Sequence, residues 1–139
     1  MSHKAKALLI HCIDFRFIKK IKEWMGSQNL LGVCDEVSLA GAVQNIVSPK
    51  NEADKELVLR QIDIAKRLHD IDEVILMNHT DCGAYGGANA FANELAEQEK
   101  HELDMREARA IILSKFPELK VRIILAKINR EGGVEFAEV

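Results

Sequence analysis

Four short apolar segments, each separated from the next by a stretch with helical spacing, restrict the fold more than any other feature of this sequence. They are residues 5–11, 36–40, 73–77 and 121–126. Each has the length of a buried strand, and the third is almost continuous in apolar residues, which is typical of strands covered on both faces. This alternation predicts a three-layer α/β fold, with a mostly parallel central sheet of four to five strands.

Between these segments, three charged amphipathic stretches are predicted to be helices. The first covers residues 17–25, and the second is predicted to begin at residues 48–49 and to bury Val58, Ile62, Ala65 and Leu68. The third runs over residues 88–115, where we expect the charged residues 94–109 to form a solvated face and His101 to lie on the surface. Residues 134–139 are the candidate fifth strand, at one edge of the sheet.

Length and composition indicate one compact unit. The chain has 139 residues, 47% hydrophobic and 29% charged, so we expect a single domain over residues 1–139. A net charge of -3 argues against a nucleic-acid partner, and no apolar run approaches the roughly 20 residues that span a bilayer. The short N-terminal apolar stretch does not resemble a signal peptide, and three cysteines do not suit a disulfide framework. We therefore expect a cytoplasmic protein with reduced thiols.

Metal-binding residue types follow two of the predicted strands. Residues 12–16 read CIDFR, and residues 79–83 read HTDCG. Adjacent strands lie about 4.8 Å apart, so neighbouring strand ends would bring Cys12, His79 and Cys82 to one ion. Two thiolates and one imidazole are a zinc ligand set, one zinc per chain, and three protein ligands are typical of catalytic rather than structural zinc.

The fourth position on such an ion would be taken by water or by Asp14. Arg16 is the natural partner of Asp14, because a guanidinium keeps a nearby carboxylate ionised. An ionised Asp14 can accept a hydrogen bond from zinc-bound water and orient it. In the second loop, Asp81 is either solvated or orients the loop through an Asx-type turn.

Other interpretations of these residues explain less of the pattern. Cys34 has no partner motif and is predicted to be structural. A cysteine nucleophile, Cys12 or Cys82 with His79 as base, would leave one thiol and the Asp14–Arg16 pair without a role.

The order Cys-x-Asp-x-Arg, Ala-Gly, His-x-x-Cys-Gly resembles the pattern of β-class carbonic anhydrases. Here the pieces are residues 12–16, 40–41 and 79–83. The resemblance implies the β-carbonic anhydrase fold and reversible hydration of CO₂ to bicarbonate by zinc-bound hydroxide, the reaction of a zinc lyase. It also implies a homodimer or a higher homo-oligomer, with Cys12, His79 and Cys82 as ligands.

The same resemblance assigns Asp14 and Arg16 as the catalytic dyad. In one subset of the family this aspartate becomes the fourth zinc ligand and closes the site. Many members carry Arg-Asn-Ala-Gly-Asn where residues 38–42 here read SLAGA. Two alternatives therefore stay open: the same zinc site hydrolysing a CO₂-like substrate such as carbonyl sulfide, and a catalytically weak homologue that binds zinc or an anion.

Overall fold

A computed structural model describes residues 3–139 and shows an α/β fold built on a five-stranded, mostly parallel sheet. The predicted fold class is confirmed. The strands are β1 Ala7–His11, β2 Cys34–Ser38, β3 Glu73–His79, β4 Lys120–Ile128 and β5 Val134–Glu138. The helices are α1 Phe15–Ser27, α2 Gln44–Val47, α3 Glu52–His69 and α4 Glu94–Lys115, with two 3₁₀ turns at Gly83–Tyr85 and Ala88–Ala90.

The strand order shows that the chain starts at β1 and adds strands first on one side of it and then on the other. The sheet runs β2-β1-β3-β4-β5, with the first four strands parallel and β5 antiparallel to β4. The chain goes from β1 outward to β2, then crosses back over β1 to reach β3. The direction of winding therefore reverses between β1 and β3, and parallel sheets hold their ligands at such a reversal, beyond the carboxyl ends of the strands.

Because right-handed crossovers in opposite directions place their helices on opposite faces, the sheet is covered on both sides. On one face, α1 packs Phe17, Ile21 and Met25 against Leu9 and Ile75. The helices α2, α3 and α4 cover the other face in a larger core. Every residue of β1 is buried, as are six of the seven residues of β3, which explains why these segments are so nearly continuous in apolar side chains.

Two details of the helices differ from the predictions. The second long helix begins at Glu52 rather than at residues 48–49, because the Asn51 side chain accepts a hydrogen bond from the Asp54 amide and caps it there. Leu68 was predicted to be buried but is 60% exposed. Leu59 is buried instead, which moves the centre of the buried stripe and leaves Leu68 about a third of a turn away from it.

The third helix also starts later than predicted. The loop that follows β3 makes two 3₁₀ turns before α4 begins at Glu94, where the Asn93 side chain accepts a hydrogen bond from the Ala96 amide. These turns keep residues 80–93 close to the end of β3, so this loop can contribute to a site there.

We predict that two truncations on α3 will differ strongly in their effect on stability. Ile62→Ala removes a side chain that is fully buried under the sheet, so the free energy of unfolding should fall by about 2–5 kcal/mol. Leu68→Ala, on the same helix, should lower it by less than about 1 kcal/mol. Urea unfolding followed by circular dichroism would measure both. A Leu68→Ala loss as large as that of Ile62→Ala would contradict the packing of α3.

Candidate metal centre

Two cysteines and a histidine meet where the winding of the sheet reverses. Cys12 directly follows β1, His79 ends the neighbouring β3, and Cys82 lies three residues further along. All three side chains are buried, and their ligand atoms lie within 4.8 Å of one another. The structure thus brings together the three residues that the sequence predicted as ligands.

The imidazole of His79 is oriented for coordination. Its Nδ1 donates a hydrogen bond to the Thr80 carbonyl at 2.8 Å. This bond fixes the tautomer and directs the lone pair of Nε2 toward the two cysteines. Within residues 3–139, this buried Nε2 has no hydrogen-bond partner. A buried, unpaired lone pair is costly, and a metal ion satisfies it.

The two sulfurs have the spacing of metal ligands. Cys12 Sγ and Cys82 Sγ are 4.0 Å apart, and both cysteines are free. Two Zn–S bonds of about 2.3 Å at a tetrahedral angle separate the sulfurs by about 3.8 Å, whereas a disulfide brings them to about 2.05 Å. The cluster is therefore compatible with a metal site.

The electrostatics of the sulfur pair also favour metal binding. A hydrogen bond from Cys82 lowers the pKa of Cys12, and backbone hydrogen bonds from Gly41 and Asp14 add to this effect against the cost of burial. Sharing that one proton raises the pKa of Cys82. These contacts favour the thiolate form of Cys12, and thiolate is the form that binds metals.

Asp14 and Arg16 form a close ion pair at the mouth of the cluster. Arg16 Nη2 donates to Asp14 Oδ2 at 2.8 Å and Arg16 Nε donates to Oδ1 at 3.1 Å. These bonds lower the pKa of Asp14, which stays ionised. Asp14 Oδ2 lies 3.8 Å from His79 Nε2, so the carboxylate is close to the position that a metal would take.

Asp81 holds Arg16 from the opposite side, a contact that the sequence reasoning missed. Arg16 Nη1 donates to Asp81 Oδ2 at 3.0 Å, and Nη2 donates to the Asp81 carbonyl at 2.9 Å. Asp81 also fastens its own loop, because Oδ1 accepts a hydrogen bond from the Ala88 amide; this bond spans seven residues, so it is not the Asx-type turn that the sequence suggested. The sequence did contain a signal for this contact. Asp81 lies between the predicted ligands His79 and Cys82, and the other predicted ligand loop carries Arg16.

A third loop approaches the cluster at Gly41. Gly41 has φ +78°, and a methyl group on it would lie 2.9 Å from Ala84 Cβ, so only glycine allows this approach to the loop after Cys82. Two residues after Gly41, the Val43 amide donates a hydrogen bond to Asn78 Oδ1, which ties this loop to the end of β3. The Ala-Gly piece of the predicted pattern thus packs beside the cysteines.

A family model described as "Putative carbonic anhydrase" matches residues 2–138. The chain belongs to this carbonic anhydrase family. Two uncharacterized relatives match over 96% of the chain: a Rickettsia bellii protein at 36% identity, of which 82% is covered, and a Rickettsia conorii protein at 33%, of which 72% is covered.

Solved structures give the same fold. The β-carbonic anhydrase CafA of Aspergillus fumigatus matches 98% of this chain and 76% of its own, with a TM-score of 0.63 at 16% identity. The β-carbonic anhydrase CcaA matches 98% of this chain and 80% of its own, with a TM-score of 0.54 at 16% identity. The predicted resemblance to β-class carbonic anhydrases is confirmed.

The third cysteine and the absence of a membrane-spanning segment were also addressed by the sequence. Cys34 is half-buried at the start of β2, away from the other cysteines, and burial raises its pKa to about 11. Within residues 3–139, no helix is both long enough and apolar enough to cross a membrane.

The buried polar residues of α4 are a correction to the sequence analysis. The charged stretch 94–109 was predicted to be solvated and His101 to be on the surface, but Glu97, His101 and Asp104 are buried. They face loop and strand groups that need partners. Asn78 donates to His101 Nδ1 at 2.9 Å and to the Tyr85 hydroxyl at 3.1 Å, and Tyr85 donates to Asp104 at 2.8 Å.

This network links α4 to the end of β3 and to the loop after Cys82. Asn78 immediately precedes His79, and its amide contacts three separate segments through Val43, Tyr85 and His101. Burial raises the pKa of Tyr85, and the Asp104 carboxylate raises it further, so the hydroxyl stays a donor. Side chains locked in this way hold the ligand-bearing strand end in place.

His101 predicts a specific pH dependence of stability in this carbonic anhydrase family member. Burial lowers the pKa of His101 to about 4, with a smaller contribution from His79, against an ordinary value of about 6.5. Between these values the unfolded chain binds a proton that the folded chain excludes. The stabilisation is therefore complete above about pH 6.5 and is lost as the pH falls toward 4.

We predict that His101→Gln, which keeps an acceptor for Asn78, will lose less stability than the unchanged protein between pH 7 and 4.5. The difference should be on the order of 1–3 kcal/mol. Urea unfolding at several pH values in this range would measure it. Parallel curves for the two proteins would contradict a buried neutral His101.

Proposed function

We propose that this protein catalyses the reversible hydration of CO₂ to bicarbonate with one zinc ion per chain, held by Cys12, His79 and Cys82. The observation that carries the proposal is the buried cluster of three ligand atoms within 4.8 Å, with the Asp14–Arg16 pair beside it. Family membership and the fold support it. Three protein ligands are the number that leaves a position for a reacting water.

Zinc in such a site supplies Lewis acidity, which brings the pKa of a coordinated water to about 7. The residues of this chain would do the rest. The burial of the cysteines and of His79 excludes bulk water from the ligands. The Thr80 carbonyl holds the His79 tautomer that presents Nε2 to the metal.

Asp14 is proposed to orient the reacting water. Its carboxylate is ionised, 15% exposed and 3.8 Å from His79 Nε2, so a hydrogen-bond acceptor lies beside the ligand atoms. With zinc bound, Asp14 would accept a hydrogen bond from the coordinated water and so orient it toward CO₂. Arg16 keeps that carboxylate oriented through two of its nitrogens.

We also propose that the protein acts as a homodimer or a higher homo-oligomer in the cytoplasm. Apolar side chains lie exposed on both sides of Asp14, with Phe15 85% exposed and Ile13 57% exposed. We propose that a second copy of the chain covers these two side chains, since exposed apolar surface of this kind is a candidate contact between proteins. The commonest symmetric arrangement would be a two-fold dimer.

For the metal, we predict about one zinc per chain in the purified protein. Cys82→Ser should empty the site and lower the melting temperature, because metal binding is coupled to folding. Cys34→Ser is the matched control and should keep full zinc content. Plasma emission spectrometry and thermal unfolding measure both quantities. Full zinc retention by Cys82→Ser would refute the ligand set.

For the reaction, we predict CO₂ hydration that rises with pH through about 7–8. Asp14→Asn should retain zinc but lose roughly 10-fold or more of the activity, because an amide is a weaker acceptor for the water and a weaker partner for Arg16. Stopped-flow assays with a pH indicator between pH 6 and 9 measure the rates.

Two results would separate the alternatives. Zinc-loaded protein with no hydration at any pH would refute the proposed reaction, and release of sulfide from carbonyl sulfide by that protein would support the alternative substrate. An Asp14→Asn variant as active as the unchanged protein would refute the role of the Asp14–Arg16 dyad but not the proposed reaction.

For assembly, we predict a dimer mass or larger at micromolar concentration by light scattering. Phe15→Lys should shift the mass toward the monomer, because it places a charge in the apolar surface. Leu68→Lys, at an exposed apolar position on α3, is the control and should leave the mass unchanged. A monomer mass for the zinc-loaded, unchanged protein would refute the assembly.

A further inference from the structure

We infer that Asp81 is a positioning residue that keeps Asp14 off the metal by fixing Arg16 against it. The inference rests on the proposed metal site and concerns which of two partners the Asp14 carboxylate takes. Asp14 Oδ2 is the contested atom: it accepts from Arg16 Nη2 at 2.8 Å and lies 3.8 Å from His79 Nε2. Whatever holds Arg16 in place therefore decides whether this oxygen is free to reach the metal.

Arg16 can serve both aspartates at once. It turns Nε and Nη2 toward Asp14, while Nη1 donates to Asp81 Oδ2 at 3.0 Å. Nη2 also donates to the Asp81 carbonyl at 2.9 Å. A guanidinium has five N–H donors in a fixed fork, so the bonds to Asp81 hold the fork in the orientation that presents its other edge to Asp14.

Asp81 is also held by contacts that do not involve Arg16. It has φ +57°, a left-handed conformation that aspartate tolerates better than most residues. Its Oδ1 accepts from the Ala88 amide at 2.8 Å, and its own amide donates to Glu97 Oε2 at 2.7 Å. Glu97 is 4% exposed and lies in α4, so Asp81 is anchored to a long packed helix.

The need for such an anchor follows from the exposure of Arg16. The Arg16 side chain is 35% exposed, and a long exposed side chain loses conformational entropy when it is held in one geometry. Without the Asp81 carboxylate, Arg16 would sample other orientations and contact Asp14 for less of the time. Asp14 would then shift toward the metal, as in any two-state equilibrium whose favoured state loses a contact.

The experiment uses cobalt in place of zinc and thiocyanate as a probe of the open position. Thiocyanate binding changes the visible absorption of cobalt only where a coordination position is available. Asp81→Asn keeps a residue that accepts the left-handed conformation and keeps an oxygen for the Ala88 amide, but turns an amide group toward Arg16. We expect thiocyanate to bind cobalt-loaded Asp81→Asn roughly 5- to 20-fold more weakly than the unchanged protein.

Two controls make the result specific to Asp14. Asp70→Asn changes an aspartate with φ +49°, far from the site, and should leave thiocyanate affinity unchanged. The double variant Asp14→Asn/Asp81→Asn lacks the competing carboxylate, so its affinity should return to within about twofold of that of Asp14→Asn.

Three results would overturn the inference. The first is an Asp81→Asn affinity equal to that of the unchanged protein. The second is a double variant as weak as Asp81→Asn, which would mean that the loop is distorted and that Asp14 has not moved. The third is failure of the unchanged protein to bind cobalt, which would also remove the metal site. If the unchanged, zinc-loaded protein shows no CO₂ hydration but the thiocyanate affinities follow the expected pattern, the proposed reaction is refuted and the role of Asp81 is not.

Discussion

The parallel pairing of β1 with β3 is the constraint on which the rest of this molecule depends. These strands are adjacent although a helix, a strand and two more helices separate them in the chain. Their carboxyl ends leave the sheet together, so Cys12 and His79 arrive at one place without any long loop to carry them. Moving either strand by one position in the sheet would separate the ligands by about another 4.8 Å and abolish the cluster.

Around that point the structure has to accommodate polar groups in a buried setting. Two sulfurs, an imidazole and a carboxylate lie together, and each is satisfied by a different neighbour. Asp14 has Arg16, the imidazole has the Thr80 carbonyl on one side, and the sulfurs share a proton. Among these four groups as the structure describes them, His79 Nε2 is left without a hydrogen-bond partner, and it lies where the three ligands converge. Among the described residues, His101 Nε2 is also buried and unpaired, but only His79 Nε2 faces two cysteine sulfurs, and that combination is the clearest physical argument for a metal.

The sequence predicted the parts of the site that depend on strand ends and failed for those that depend on side-chain packing. Cys12, His79 and Cys82 followed apolar runs, so the sheet brought them together as expected. His101 was misjudged because the charge pattern of α4 does not reveal that its polar stripe faces the polar end of β3. Leu68 was misplaced because one extra buried leucine, Leu59, rotates the stripe of α3. For Asp81 the sequence offered solvation or an Asx-type turn and missed the bond to Arg16, since that contact joins two loops distant in sequence.

The start of α1 carries one further consequence. Asp14 is the N-cap of this helix, because its Oδ1 accepts from the Arg16 amide at 3.0 Å. One side chain thus begins a helix and serves the site, so a substitution there disturbs secondary structure and chemistry together. Asparagine caps helices about as well as aspartate, whereas alanine costs about 1 kcal/mol. An alanine substitution at residue 14 would therefore overstate its importance for the chemistry, because the variant also loses the stability that the N-cap gives to α1. Asp14→Asn keeps the cap and so separates the two roles.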